Sequence, residues 1–450
     1  MWALAFAVVI SFADDEGAPP EPAPVEAPPA EPTPATSEAP APPEKVKKAK
    51  KPDPKWVLAG LPIANFSTNT GIGYGAYGSV VRTTVPGSDD PFTARVAVQL
   101  FWTTTAYQDH NVRFDFPSIF GSAFRVDGTV GYERWKQSPY FGSGNFMPRL
   151  ATEDLPQLVD EDGDVKPDLY NQYDVAWVRA LVNVRRRIGD TPWYAFGNYL
   201  FRWAKIDTYE GSLLLLDKPY GWEGGRYARL GVGAMYDTRD AEPSPHEGVF
   251  SEASLRLSSP VLGGEEWVVG LNVTDRRWYK LAGDGRLVFA SRAVLDVRRG
   301  NEPFWVGHLL GSSQLIEYAS SNNLRGIDNG RYRGDIYAFW TPELRFTALQ
   351  YQSFSILLCP FFDVGRTFLW PDNGVYPPTG WADREPVPHL AYAGGLGVRF
   401  QVGTAMLVRL DLALGRDEEC VTSGGVCDPA TSDVRGVSDF GFHLVFDHPF

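Results

Sequence analysis

Apolar and polar residues alternate along most of the chain from Trp56 onward. Residues 93–102 show the pattern, with an apolar side made of Ala94, Val96, Val98, Leu100 and Trp102. The opposite side carries Arg95 and Gln99. A period of two is that of a β-strand whose two faces meet different surroundings. Because charges recur on the second face in strand after strand, the pattern favours strands between lipid and a polar lumen over the half-buried strands of a soluble sandwich.

Roughly sixteen such runs lie between Trp56 and Phe450, an even number, as expected for a single-chain outer-membrane barrel. The odd-numbered connections between them include the long ones: residues 136–171, 207–225, 300–334, 367–390 and 415–438. The even-numbered connections are mostly tight, as at Ala282–Gly285, with Asp237–Gly248 as the exception. Short periplasmic turns and long outer loops are typical of these barrels. The sequence therefore predicts an all-β fold, a sixteen-stranded antiparallel transmembrane β-barrel.

The N-terminal part of the chain differs from the remainder. Trp2–Phe12 is apolar and ends in the small-x-small pattern Ser11-Phe12-Ala13, so residues 1–13 are predicted to be a signal peptide. Residues 14–55 are rich in Pro, Ala and Glu, a composition that cannot bury enough apolar surface to fold. We expect a disordered periplasmic linker there and the barrel over residues 56–450.

Composition and charge narrow the function. Beyond the N-terminus no run reaches the roughly 18 apolar residues of a membrane helix, and Gly (45) and aromatic residues (14%) are abundant, which favours strands. The net charge of -13 argues against nucleic acid as a partner, because binding to phosphates requires a basic surface. Of three cysteines, Cys359 lies in an apolar run, while Cys420 and Cys427 share a polar loop. A disulfide between these two and a pair of free thiols are the alternatives.

Candidate chemical motifs do not indicate an enzyme. Gly73–Gly78 matches the dinucleotide fingerprint G-x-G-x-x-G, but it lies inside a strand pattern and lacks the following helix. Asp160–Asp164 concentrates carboxylates without the order of a calcium loop, so a solvated acidic loop is favoured over a cation site. None of the six histidines lies beside an evident nucleophile. We expect no catalytic residues, no metal and no cofactor.

Four motifs resemble the bacterial surface antigen family of outer-membrane barrels, the BamA/TamA superfamily. The first is its turn D-x-R-(D/N)-x-x-x-x-P-x-x-G, matched by Asp237, Arg239, Asp240, Pro245 and Gly248. The others match the family's loop and the two strands after it: Leu324–Ile327 for (V/L)-R-G-(F/Y), Glu343–Phe346 for E-L-R-F, and Phe361–Gly365 for F-x-D-x-G. Tyr140–Asn145 also resembles the family's Y-(Y/F)-G-x-G-N. The resemblance covers Leu61–Phe450.

The resemblance implies that the extracellular loop at residues 301–334 folds into the lumen. There Arg325 is expected to pair with Asp363, with Glu343 nearby, and Gly326, Gly330 and Gly334 allow tight turns. An arginine in a confined lumen needs a carboxylate that matches its fork. A solvated external loop is the alternative. Ile327 stands where the family has an aromatic residue, which affects the packing of the loop tip.

The resemblance also implies a function, partners and a location. The terminal Phe450 is similar to the signal by which barrel-assembly machinery recognises outer-membrane barrels. The expected function is to aid insertion or translocation of protein or lipid substrates at the bacterial outer membrane, and the alternative is a passive pore or structural barrel without a client. Expected partners are outer-membrane lipid and lipopolysaccharide, the assembly machinery, and a periplasmic component bound by the Pro-rich arm. Residues 14–55 leave no room for a periplasmic POTRA module, so the chain resembles the POTRA-less branch.

Overall fold

The computed structural model describes residues 8–10, 55–67, 71–84, 92–142, 149–159, 165–241, 244–306, 324–327, 331–352, 354–370, 390–402, 406–421 and 433–447. Several sequence predictions fall outside these ranges: Cys427, Phe450, the acidic loop at 160–164, Gly330, and all of the proposed signal peptide and linker except residues 8–10 and 55.

Sixteen long strands form the wall of the molecule. They are β1 (Trp56–Ser67), β2 (Gly71–Arg82), β3 (Ala94–Thr103), β4 (Gln108–Phe116), β5 (Phe124–Pro139), β6 (Gln172–Arg187), β7 (Trp193–Thr208), β8 (Gly224–Asp237), β9 (Gly248–Ser258), β10 (Val268–Lys280), β11 (Leu287–Gly300), β12 (Ile336–Tyr351), β13 (Phe354–Phe368), β14 (Ala391–Val402), β15 (Met406–Val421) and β16 (Asp433–Asp447). Two short strands, Val8–Ile10 and Arg149–Leu150, complete an eighteen-stranded sheet.

Each long strand pairs antiparallel with the next along the chain, and β16 pairs back to β1. Closure of a sheet on itself removes its edges and satisfies the backbone groups inside lipid. This confirms the prediction of an all-β, sixteen-stranded barrel. The β16–β1 seam is short, with two residue pairs, His443 with Ser67 and Leu444 with Phe66. Val8–Ile10 pairs antiparallel with Leu58–Gly60, farther along the same β1 edge.

The two faces of the wall have opposite character. Large apolar side chains are exposed on the outer face, among them Ile72, Tyr74, Val98, Val232, Leu255 and Trp340. The inner face carries buried polar and charged side chains, among them Asn111, Asp127, Asn183, Arg202, Asn272 and Asp296. An outward apolar band around a polar interior is what a barrel in a bilayer requires. The alternation in the sequence therefore corresponds to the apolar environment outside the wall and the polar environment inside it.

The longest connections are the odd-numbered ones, as predicted, but one boundary was wrong. Residues 415–438 were expected to be a loop, whereas β15 continues to Val421 and β16 begins at Asp433. This extension is rich in charged residues and lacks the regular alternation that marks the other strands in the sequence. Arg149–Leu150 adds to it as a parallel strand beside Glu419 and Cys420. Cys420 is disulfide-bonded and Cys359 is a buried free thiol.

In the part of the chain that the structure describes, helical structure is limited to short pieces in the connections, the longest of which are α1 (Leu213–Asp217) and a 3-10 turn at Pro167–Asn171. Within the described ranges, none of the helices has the length and apolar character needed to cross a membrane. A large apolar cluster lies under the odd-numbered connections and contains Tyr140, Tyr173, Leu214, Phe304 and Trp305. These residues pack the connections after β5, β7 and β11 against the wall.

Candidate functional site in the barrel lumen

A short stretch of the β11–β12 loop, Leu324–Ile327, lies against the inner face of the wall. Arg325 donates two parallel hydrogen bonds to Asp363 on β13, from Nε to Oδ2 at 2.8 Å and from Nη2 to Oδ1 at 2.7 Å. Its backbone N–H donates a third to Oδ2 at 3.0 Å. Its Nη1 donates to Glu343 Oε2 on β12 at 2.8 Å. The three residues that the sequence placed together are therefore in direct contact.

The two carboxylates belong to a larger network that spans four neighbouring strands. Glu343 also accepts from Arg345 on its own strand and from Arg399 on β14. Arg399 donates in turn to Asp411 on β15 at 2.7 Å, as does Arg409 at 2.6 Å. The network has four guanidinium groups and three carboxylates. The loop arginine is thus bound to charges that already hold β12 to β15 together on the lumen side.

Arg325 is buried in this network together with its partners. Its side chain is 9% exposed and that of Asp363 is 1% exposed. Burial by itself lowers the pKa of Arg325, but the hydrogen bonds and negative charge of Asp363 outweigh burial and raise the pKa above its ordinary value. The guanidinium also lies 3.4 Å from the ring centroid of Phe361. A charged, planar group between a carboxylate fork and an aromatic ring has little freedom to leave.

Backbone packing seats the tip of the loop. Gly326 has φ +79, and a Cβ built there would lie 2.8 Å from Ala413 Cβ on β15. A Cβ on Gly415 would lie 2.1 Å from the carbonyl oxygen of Gly326. The two glycines let loop and wall approach each other at backbone distance. Ile327 is buried against this wall, so the aliphatic residue packs at the position where an aromatic was expected.

The returning half of the same loop has a second anchor that sequence reasoning did not identify. Arg333 is buried among three aromatic rings, those of Tyr140, Tyr173 and Phe304, with its Cζ 5.2, 6.0 and 5.1 Å from their centroids. It donates to the carbonyl oxygens of Pro139 and Phe304. Tyr140 was the one residue of this anchor that the sequence analysis had named, as the start of the family-like stretch Tyr140–Asn145.

The β8–β9 turn, marked by the sequence as exceptional, has a defined structure. Asp237 accepts two side-chain hydrogen bonds from Arg239, at 2.9 and 2.7 Å. The Arg239 guanidinium lies 4.1 Å from the ring centroid of Phe250. Asp240 accepts from the backbone N–H groups of His246 and Glu247 at 2.9 and 3.3 Å. Pro245 is buried, and Gly248 has φ +114 close to the backbone of Thr238.

Sequence reasoning found Arg325, Glu343 and Asp363 but missed Arg399, Arg409 and Gly415. A weak signal existed, because Arg409 and Asp411 occupy the polar face of a strand pattern. Their assembly with the loop depends on how far each strand is shifted against the next, and alternation alone does not reveal that shift.

The comparisons with known proteins agree with this fold. Two solved structures share the fold: BamA from Haemophilus ducreyi lacking POTRA domains 1-3 (12% identity, 90% of this chain and 74% of that chain, TM-score 0.53) and CdiB from Escherichia coli (11% identity, 88% of this chain and 63% of that chain, TM-score 0.51). The chain spans less than two thirds of that CdiB structure. A search of curated protein sequences finds no match. A model of the Omp85 superfamily domain matches residues 92–422, and the chain therefore belongs to the Omp85 superfamily of outer-membrane barrels.

Proposed function

We propose that this barrel aids the insertion or translocation of protein or lipid substrates at the outer membrane, and that it does so by opening sideways between β1 and β16. Membership of the Omp85 superfamily supports the general role. The observation that carries the proposal is the seam between the first and last strands. Within the described residues, β16 meets β1 only at His443–Ser67 and Leu444–Phe66.

The seam contrasts with every other joint in the wall. On its other side β16 pairs with β15 from Asp433–Val421 through to Asp447–Leu407, and β1 pairs with β2 over its whole length. Backbone groups that lack partners inside lipid are costly, so a short joint is the place where the wall parts most easily. The β1 edge also pairs with a strand from outside the barrel wall, Val8–Ile10 of the predicted signal peptide, against Leu58–Gly60. An edge that takes up an extra antiparallel strand has the chemistry needed to receive one from a substrate.

In this proposal the lumen loop acts as the latch of the pore, and the barrel performs no covalent chemistry. Arg325 holds the loop to β12 and β13, so the central path is blocked while the seam remains free to part. We place the N-terminus and the β8–β9 turn on the periplasmic side, with the long odd-numbered connections outside, as in other barrels of this type.

The test is a cysteine pair that locks the seam. Phe66→Cys and Leu444→Cys lie opposite each other in the register. Liposomes containing the oxidised or reduced double variant are given either an unfolded outer-membrane barrel chain or lipopolysaccharide. We expect the wild-type chain and the reduced variant to accelerate insertion of one of these substrates, and oxidation to abolish the acceleration.

A matched pair controls for oxidation itself. Val98→Cys and Val112→Cys face each other on β3 and β4, within a continuous ladder on the outer face. Oxidation of this pair is expected to leave the rate unchanged. Equal rates with oxidised and reduced seam variants would rule out sideways opening. If the wild-type chain accelerates neither substrate and conducts ions steadily in planar bilayers, the passive pore is the correct function.

A further inference from the structure

Two arginines face each other across the β10–β11 ladder on the inner side of the wall. Arg276 and Arg292 are directly paired in the register. Arg276 shares its face with the buried Asn272 and Thr274, and Arg292 shares its face with the buried Val294. Opposite residues in such a ladder have Cβ atoms about 4.5–5.5 Å apart, and like charges there repel each other. Two opposed arginines therefore require negative charge close by.

Among the residues that the structure describes, the two arginines have one carboxylate within ion-pair distance, that of the buried Glu252. Glu252 Oε1 lies 3.8 Å from Arg276 Nη2, an ion pair longer than a hydrogen bond, so two guanidinium groups face one carboxylate. No carboxylate lies within ion-pair distance of Arg292 in the described part of the chain. Arg276 Nη1 and Arg292 Nε are buried donors without an acceptor. Buried N–H donors are nearly always satisfied in folded proteins.

The neighbours keep these arginines in place and add positive charge. Arg276 Cζ lies 5.1 Å from the ring centroid of Phe250, and Arg239 covers the same ring at 4.1 Å. Arg292 Cζ lies 5.2 Å from the ring centroid of Phe339. Asp363 is within electrostatic range of Arg292, but it already accepts three hydrogen bonds from Arg325. The charge of Asp363 is therefore committed to the latch, and Glu252 offsets one of the two guanidinium charges.

We propose that Arg276 and Arg292 form an anion-binding site in the lumen for a phosphate monoester group. Two guanidinium forks from adjacent strands present several N–H donors to one volume, and a tetrahedral phosphate has enough oxygens to accept from both. The aromatic rings of Phe250 and Phe339 hold the forks in position before the anion arrives. The site is separate from the Arg325 latch and does not depend on the translocation role.

The experiment measures stabilisation of the full-length barrel by phosphate. The protein is refolded in a phosphate-free alkyl maltoside detergent, and its thermal midpoint is followed by the mobility difference between folded and unfolded barrel on gels. Inorganic phosphate is one probe and phosphatidic acid in the same micelles is the other, each against sodium chloride and sodium acetate at matched ionic strength. A ligand that binds only the folded state raises the midpoint.

We expect a rise in the wild type that Arg276→Gln with Arg292→Gln removes, and an apparent affinity about tenfold weaker for either single substitution. The control is Arg277→Gln, because Arg277 is the next residue on β10, pairs with Asp275 and is half exposed on the outer face. It is expected to respond like the wild type.

The two probes distinguish the source of the phosphate. A response to inorganic phosphate indicates a free anion, and a response to phosphatidic acid alone indicates a lipid headgroup; both support the site if the double variant loses the response. Should the double variant not refold, the two single variants decide. The absence of a response in the wild type, or a response that the arginine variants retain, overturns the proposal.

Discussion

At the scale of single residues, Arg325 is held by more than one ion pair. It bonds to two carboxylates through its side chain and to one of them through its backbone as well. Glu343 is shared with Arg399, which also pairs with Asp411, so the loop arginine completes a network that the wall strands begin. Removing one member of such a buried set is destabilising, because the remaining buried charges lose their partner.

The first prediction concerns Arg325→Ala. Asp363 would remain buried without its main partner, and we expect the seated loop to lose about 3–5 kcal/mol relative to the released loop. Single-channel recordings in planar bilayers should show a mostly closed wild type, with Arg325→Ala and Asp363→Ala both open.

Arg226→Ala is the control, because its salt bridge to Glu265 is largely solvent-exposed and of little energetic value. It should remain closed. A wild type that conducts steadily, with no change in either latch variant, would show that the loop is not a latch.

The second prediction concerns Gly415→Ala. A Cβ there would lie 2.1 Å from the Gly326 carbonyl oxygen, so the loop tip must lift from β15, although the variant retains every charged residue of the network. We expect a channel that opens as in Arg325→Ala. Gly394→Ala on β14 is the matched control, since its new Cβ would meet its nearest neighbour at 3.9 Å. If both alanine variants behaved like the wild type, backbone packing would not be required for seating the loop.

At the scale of elements, the β8–β9 turn shows how one carboxylate organises a connection. Asp240 accepts backbone N–H groups from His246 and Glu247, across the turn. Burial by itself raises the pKa of Asp240, but these hydrogen bonds, with the nearby His246 and Lys280, outweigh burial and lower the pKa. The turn is thus stabilised by the ionised form.

The third prediction follows from the sign of this shift. A carboxyl group whose folded pKa is depressed stabilises the fold above its unfolded pKa, about 3.9 for Asp, and loses that contribution as the pH falls through the folded pKa. We expect the Glu247 amide to titrate with a midpoint below 3.9, as seen by amide NMR shifts. In Asp240→Ala the amides of His246 and Glu247 should exchange faster with solvent.

Asp207→Ala provides the comparison for the turn, because Asp207 is exposed at the end of β7, at the other end of the barrel, and pairs with the exposed Lys205. It should change neither amide. A Glu247 titration midpoint at or above the value of a free aspartate would contradict the role assigned to Asp240.

At the scale of the whole molecule, the barrel has one seam with few residue pairs and one charge network that holds the loop inside the lumen. The seam between β1 and β16 has two residue pairs, whereas the latch network ties β12 to β15 and lies on neighbouring strands of the same half of the wall. In the proposed function, a wall that parts at one joint lets substrates enter the membrane without disturbing the lumen network. This arrangement separates sideways opening from conduction through the pore, and the locked-seam experiment and the Arg325 recordings test the two independently.

The sequence alone determined the strand pattern, the number of strands and the central contact of the site. Lipid outside and a polar lumen inside impose a period of two, and the motifs around Arg325 and Asp363 are local enough to recognise. The tertiary structure decided the rest: Arg399, Asp411 and Gly415 at the latch, Arg333 among its rings, the opposed Arg276 and Arg292, and the short seam. These contacts join residues far apart in the chain, and they depend on the shift of each strand against its neighbour, which is set by closure of the whole barrel. Alternation shows which face a side chain occupies; closure decides what it meets there.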